Sequence, residues 1–126
     1  HSVDIFHEAG LTYCCDWVND ELPYSFNNGM INVPLNHELS DRQIIAVQQQ
    51  SVESWQQSME DAYDWLEIEA TQQGGGRMLP IHLTPYIMGL PYRISALEAL
   101  LDKLNAQAGA WFARGEDIVA AWDAQQ

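Results

Sequence analysis

Residues 78–93 read MLPIHLTPYIMGLPYR, and the fold follows from how this stretch is divided. Met78 to Leu83 is apolar except for His82, and it predicts a buried strand. Pro85 ends that strand and biases Thr84 to an extended backbone, while Gly89 and Pro91 make the turn before a helix that starts near Arg93. Side chains two apart in a strand share a face, so His82 and Thr84 point one way while Ile81 and Leu83 point the other. A single imidazole in such a strand has two readings, a site residue or a core histidine that hydrogen-bonds locally.

Downstream, residues 93–108 predict a helix with Ile94, Leu97, Leu101 and Leu104 on its inner face, closed by Gly109. Ala110 to Ala113 reads as a short last strand, and Glu116 to Trp122 as a terminal helix whose acidic first turn suits the helix dipole. Upstream, Ser51 is an N-cap, and Val52, Trp55, Met59, Ala62 and Leu66 step by three and four along one face of the longest helix. Glu53, Gln57, Glu60, Asp61 and Asp64 then face solvent. The glycines at 74–76 lack the lysine and hydroxyl residue that end a phosphate-binding loop, and they read as a linker.

The N-terminal third predicts the last turns of a helix over Val3 to Ala9, a strand over Leu11 to Cys15, a polar and aromatic loop from Asp16 to Gly29, and a strand over Met30 to Pro34. His37, Glu38 and Asp41 follow as a weak metal-like cluster. No histidine pair at helical spacing and no further ligand in register accompany them, so a solvated loop is the expectation. Helices and strands alternate throughout, which is the pattern of an α/β fold with a largely parallel sheet in one domain over residues 1–126.

The net charge of −13, from 18 acidic and 5 basic residues, opposes nucleic acid and anionic lipid as partners. No apolar run approaches the roughly 20 residues that cross a bilayer. Cys14 and Cys15 are adjacent in a strand and face opposite ways, so two free thiols in a reducing, cytoplasmic setting are expected. The length of 126 residues suffices for a core but is short of the roughly 250 of a complete α/β barrel.

Three stretches together, EAGLTYCCDWVNDELPY at 8–24, ELSD at 38–41 and LPIHLTPYIMGLPYRISALEALLDKLNAQAGAWFARGEDIVAAW at 79–122, resemble the C-terminal half of the NodB-like polysaccharide deacetylase family, particularly its allantoinase-like cyclic amide hydrolases. The resemblance implies part of a distorted (β/α) barrel. It also implies a divalent metal, usually zinc, that activates water against an amide or N-acetyl bond. The family's metal-binding aspartate and His-x-x-His pair lie in its other half and have no counterpart in this sequence, so no metal ligand is assigned here. Asp16 and Trp17 match an aspartate-tryptophan motif, which implies a groove-lining tryptophan beside an acid that supports the catalytic arrangement.

Relatives usually read leucine-histidine-proline where this chain has Leu83, Thr84 and Pro85, so Thr84 stands at the position of the general-acid histidine. Threonine does not donate a proton near neutral pH. His82 is the remaining candidate for proton transfer, roughly 6 to 7 Å deeper along the strand. Two functions are expected from these observations. One is the C-terminal portion of a metal-dependent hydrolase of non-peptide C–N bonds, inactive alone. The other is a non-catalytic binding subunit that keeps the barrel's C-terminal rim and uses Trp17, Tyr24, Tyr86 and the nearby acids for a small polar ligand such as an amide or N-acetyl sugar; in either case Asp16, Trp17, Thr84 and Tyr86 are the substrate-binding candidates. Either predicts an incomplete barrel with open edges, hence a homo-oligomer or a complex with an N-terminal-half partner chain.

Overall fold

A computed structural model describes residues 1–126, which divide into two compact units, His1–Leu35 with Trp111–Gln126, and Asn36–Ala110. In the first unit, helix α1 (Ser2–Glu8) leads to strand β1 (Tyr13–Cys14). Strands β2 (Tyr24–Ser25) and β3 (Ile31–Asn32) complete a sheet of order β1-β3-β2. β1 and β3 are parallel, with Tyr13 opposite Ile31, whereas β2 and β3 are antiparallel, with Tyr24 opposite Asn32. The sheet is thus mixed rather than largely parallel. The stretch from Asp16 to Gly29, expected as loop throughout, contains β2. Its signal is hidden because the strand is two residues long among polar neighbours. Phe26 N–H donates to Met30 O at 2.8 Å and Gly29 N–H to Phe26 O at 3.0 Å, and the tight return puts Gly29 at a φ of 87°.

The strand expected over Ala110 to Ala113 does not form. These residues have no ladder partner, and Trp111 and Phe112 stand 66% and 50% exposed. Helix α5 (Gly115–Ala124) follows. Its start is held by Asp117, which accepts the Arg114 backbone N–H at 2.9 Å. That bond, and then the Arg114 guanidinium, hold the Asp117 carboxyl below the usual carboxylate range.

The second unit opens on a π-helical turn (Arg42–Val47) that no periodicity announced, with the adjacent Ile44 and Ile45 both buried. Helix α2 (Val52–Gln73) buries Val52, Trp55 and Met59 as their spacing predicts, and Ser51 Oγ accepts the Ser54 N–H at 3.1 Å. Helix α4 (Ile94–Asn105) buries Ala96, Leu100 and Leu104. Leu104 is buried and Leu97 packs on the core as expected, Ala96 and Leu100 join them, and Ile94, in the first turn, is 36% exposed. Periodicity of apolar bulk does not mark a residue as small as Ala96, which is 7% exposed. Together with Ile87 and Met88 these residues form one core.

The strand expected over Met78 to Leu83 is absent as a ladder element: none of these residues pairs with a strand. Its alternation nevertheless survives, because Leu79, Ile81 and Leu83 are the residues that pack on the core. Pro85 starts a short helix α3 (Pro85–Met88), where its missing N–H costs nothing. At Gly89 a Cβ would sit 2.6 Å from Pro85 O, so the turn closing α3 admits only glycine without moving the backbone.

One of the acids expected to face solvent on α2 does not. Glu60 Oε2 accepts from Lys103 Nζ of α4 at 3.2 Å, with its side chain 16% exposed. The hydrogen bond from Gln56 and the one from Lys103 hold its carboxyl below the ordinary value. A lowered folded-state pKa adds stability above the unfolded value of about 4.3, and that stability is lost as pH falls through the folded value. Glu60→Gln should lower the free energy of unfolding by about 0.5–1 kcal/mol at pH 7. Urea titrations should find the difference between the two proteins closing as the pH is taken below about 4.

Candidate functional site

Asp41 is fully buried, with 0% of its surface exposed, and its hydrogen bonds are made to backbone groups. Oδ1 accepts the Arg42 N–H at 2.7 Å, and Oδ2 accepts the Thr84 N–H at 2.7 Å. Its own N–H donates to His82 O at 3.4 Å. One residue thus takes the place of a neighbouring strand for segment 82–84, satisfying backbone groups that have no ladder. Ser40, 5% exposed, closes the turn before it: its Oγ donates to His37 O at 2.8 Å and accepts the Gln43 N–H at 3.2 Å. The solvated loop expected from His37 to Asp41 is accordingly corrected. His37 and Glu38 are exposed, but Ser40 and Asp41 are buried because their side chains cap the π-helical turn.

The His82 ring lies 5.6 Å from the His37 ring, centroid to centroid, at 52°. Its Nδ1 is buried and has no hydrogen-bond partner in the chain. Thr84 is the N-cap of α3, with φ −112° and ψ 111°, and its hydroxyl makes no capping bond. Tyr86 is 71% exposed on α3. Nearby, Arg93 donates through Nη1 to Ile87 O at 3.1 Å and lies over the Tyr92 ring at 5.2 Å. No three histidine, cysteine, aspartate or glutamate side chains converge on a common point. With both Asp41 oxygens taken by N–H groups, these residues do not fit a metal centre by themselves.

Asp16 and Trp17 belong to the first unit, and His82, Thr84 and Tyr86 to the second. Both are exposed, Trp17 by 51%, so core packing does not explain the tryptophan. Its ring meets Phe26 edge-on at 6.3 Å, and Phe26 meets Tyr24 at 5.5 Å. The Tyr24 hydroxyl donates to Asn19 Oδ1 at 2.6 Å. What positions Trp17 is Asn32, a residue sequence reasoning passed over. Asn32 is 0% exposed, accepts the Trp17 N–H at 3.3 Å and the Cys14 thiol at 3.5 Å on Oδ1, and donates through Nδ2 to Trp17 O at 2.8 Å. The available signal was an amide in the otherwise apolar strand MINVP. Both cysteines are free, as expected, and burial, then the neighbouring Cys14 and Asp16, pushes the Cys15 thiol up. An open cleft of about 320 Å³ in the same unit is lined by His7, Leu11, Met30, Ile31, Val119 and Asp123 among others, and none of the candidate site residues borders it.

Removal of the Asp41 carboxylate leaves the Thr84 and Arg42 N–H groups without acceptors in a buried setting. Asp41→Ala should therefore cost about 2–4 kcal/mol of stability in urea unfolding. Hydrogen exchange at the Thr84 amide should accelerate more than the global loss accounts for.

No protein-family profile matches the chain. A Schizosaccharomyces pombe protein bearing a polysaccharide deacetylase name is 26% identical over 96% of this chain. Among solved structures, PuuE allantoinase superposes with a TM-score of 0.85 at 26% identity, covering 97% of the chain. A Pseudomonas aeruginosa protein bearing a polysaccharide deacetylase name superposes with a TM-score of 0.82 at 28% identity over the same share. The chain spans 42% of the length of each of these three proteins. Over nearly all of its residues it is similar to the C-terminal part of proteins of the polysaccharide deacetylase and allantoinase kind.

Proposed function

We propose that this chain is the C-terminal portion of a hydrolase of non-peptide C–N bonds, of the deacetylase or allantoinase type, and that it completes a distorted (β/α) barrel only with further polypeptide. The observation that carries the reading is the agreement of fold over 97% of this chain with 42% of an allantoinase. In this reading the hydrolytic metal, zinc by the family's habit, takes its ligands from the remaining polypeptide, since no ligand set converges in this chain. When bound, such a metal supplies an activated water near neutral pH. The reading places the protein in the cytoplasm, where Cys14 and Cys15 stay reduced. No helix is long and apolar enough to cross a membrane.

The chain's own contribution is to hold substrate and move a proton. In the first unit Trp17 offers an exposed ring, with the Asp16 carboxylate beside it as a hydrogen-bond acceptor, and in the second unit Tyr86 offers another, each suited by itself to a small polar amide or N-acetyl sugar. His82, whose Nδ1 has no partner in the chain, is the group that gives a proton to the departing nitrogen, with Asp41 fixing its backbone and that of Thr84. A second reading, a non-catalytic binding subunit, is favoured by Thr84 standing where relatives carry the acid.

Mixing the chain with the uncovered portion of a relative separates the two. Zinc-dependent release of acetate or ring opening of a cyclic amide is the outcome expected of the hydrolase, and ligand binding without turnover is that of the binding subunit. In an active mixture, His82→Gln should lower kcat by about 100-fold or more. An unchanged kcat would remove His82 from the chemistry.

A further inference from the structure

His37 and His82 are the two histidines of the second unit, and consecutive residues hold both of their backbones. His37 O accepts the Ser40 N–H at 3.2 Å and the Ser40 hydroxyl at 2.8 Å, while His82 O accepts the Asp41 N–H at 3.4 Å. Ser40 and Asp41 are both buried, so the two imidazoles stand on a fixed base. Their rings lie 5.6 Å apart, centroid to centroid, and His82 Nδ1 is buried without a partner. Such an atom is rare in a folded chain and marks a place that a ligand completes. A zinc ion binds an imidazole nitrogen at about 2.0–2.1 Å and therefore sits roughly 3.2 Å from the ring centroid. Two imidazoles at the tetrahedral angle then have centroids roughly 5.2 Å apart, against roughly 4.5 Å at the right angle of an octahedral or square-planar ion. The observed separation is within about 0.4 Å of the tetrahedral arrangement and about 1.1 Å too wide for the other. His37 is exposed, and rotation of its side chain can make up the smaller difference.

We propose that His37 and His82 together form a two-imidazole site for a tetrahedral transition dication, zinc as the type, with water or a solute ligand completing its shell. Two protein ligands are fewer than the three that hold a hydrolytic metal, so this site is separate from that centre. Chemistry selects the ion as geometry does. Imidazole favours zinc and its late transition neighbours, whereas magnesium and calcium take oxygen, and both Asp41 oxygens are already engaged by N–H groups. The net charge of −13 raises the local concentration of any dication. Coordination through His82 Nδ1 satisfies the atom that the fold leaves buried and unpaired. A coordinated nitrogen cannot also bear a proton, so an ion here keeps His82 out of the imidazolium form that proton donation needs. Ion binding is thereby a brake on the chemistry proposed above. That consequence rests on the proposed function, and the site itself does not.

The test titrates the full chain with zinc in the presence of excess magnesium. The other histidines, His1 and His7, lie in the first unit, and both are replaced by alanine to remove any chelate near the N-terminus. One ion per chain is expected, at a Kd of about 100 μM or below. His37→Ala and His82→Gln should each weaken binding by about 10-fold or more. Cobalt in place of zinc should give the intense visible absorption of a tetrahedral ion, lost in both variants. If His82→Gln fails to fold, His37→Ala, at an exposed position, decides alone. The proposal is overturned by no zinc bound at about 1 mM, by binding that either variant keeps, or by binding that magnesium displaces, which belongs to surface carboxylates. An octahedral cobalt spectrum overturns it as well. Hydrolysis is scored separately: zinc held by both histidines with no C–N hydrolysis in the mixing experiment sinks the proposed function and leaves the site standing. Hydrolysis by a chain that binds no zinc at these histidines does the reverse.

Discussion

The carboxylate of Asp41 is the constraint on which residues 36–110 depend. Segment 78–84 carries core side chains at Leu79, Ile81 and Leu83 but has no strand to pair with. Its backbone groups at 82 and 84 would be unsatisfied in the interior, at about 1–3 kcal/mol each. Asp41 supplies an acceptor to Thr84 and a donor to His82, and with its second oxygen it starts the π-helical turn that brings Ile44 and Ile45 into the same core. Placement of the candidate proton donor is thus a by-product of a structural requirement: the backbone at His82 is fixed because a buried segment must be satisfied.

Asn32 does the corresponding work in the other unit. Its side chain ties β3 to the start of the long loop by two hydrogen bonds with the Trp17 backbone. Trp17 is thereby free to expose its ring without losing its position. Both anchors are short polar side chains with no exposed surface, in places where the nearby sequence is apolar or helix-starting. Each holds a backbone on which an exposed aromatic or an unpartnered imidazole is carried.

Much of the chain was legible residue by residue. The period of α2 and its Ser51 cap, the helix before Gly10, and the turn at Gly89 follow from rules that act within four residues. The alternation at 79, 81 and 83 was also legible, as it records which side chains meet the core. Legibility failed where a ladder was inferred from that alternation. Period two states which side a side chain faces, whereas a strand in a sheet requires a neighbour, and at 78–84 the neighbour is a carboxylate. At 110–113 the aromatic residues of strand character, Trp111 and Phe112, remain exposed. Trp17, His82 and Thr84 stand out in the sequence as residue types, whereas the supports Asn32 and Asp41 look there like ordinary strand and solvated loop.

By itself the sequence determined the local elements, the acidic surface, the free thiols and the similarity to deacetylase and allantoinase proteins, because each depends on composition, short-range periodicity or motif order. Tertiary structure alone decided that Asp41 is buried, that Asn32 holds Trp17, that Glu60 pairs with Lys103, and that Ala96 rather than Ile94 faces the core. The physical reason is common to all four. Desolvation is set by residues distant in sequence, and a polar group removed from water is stable only where a partner, here 43 residues away for Asp41 and Thr84, has been brought within hydrogen-bonding reach.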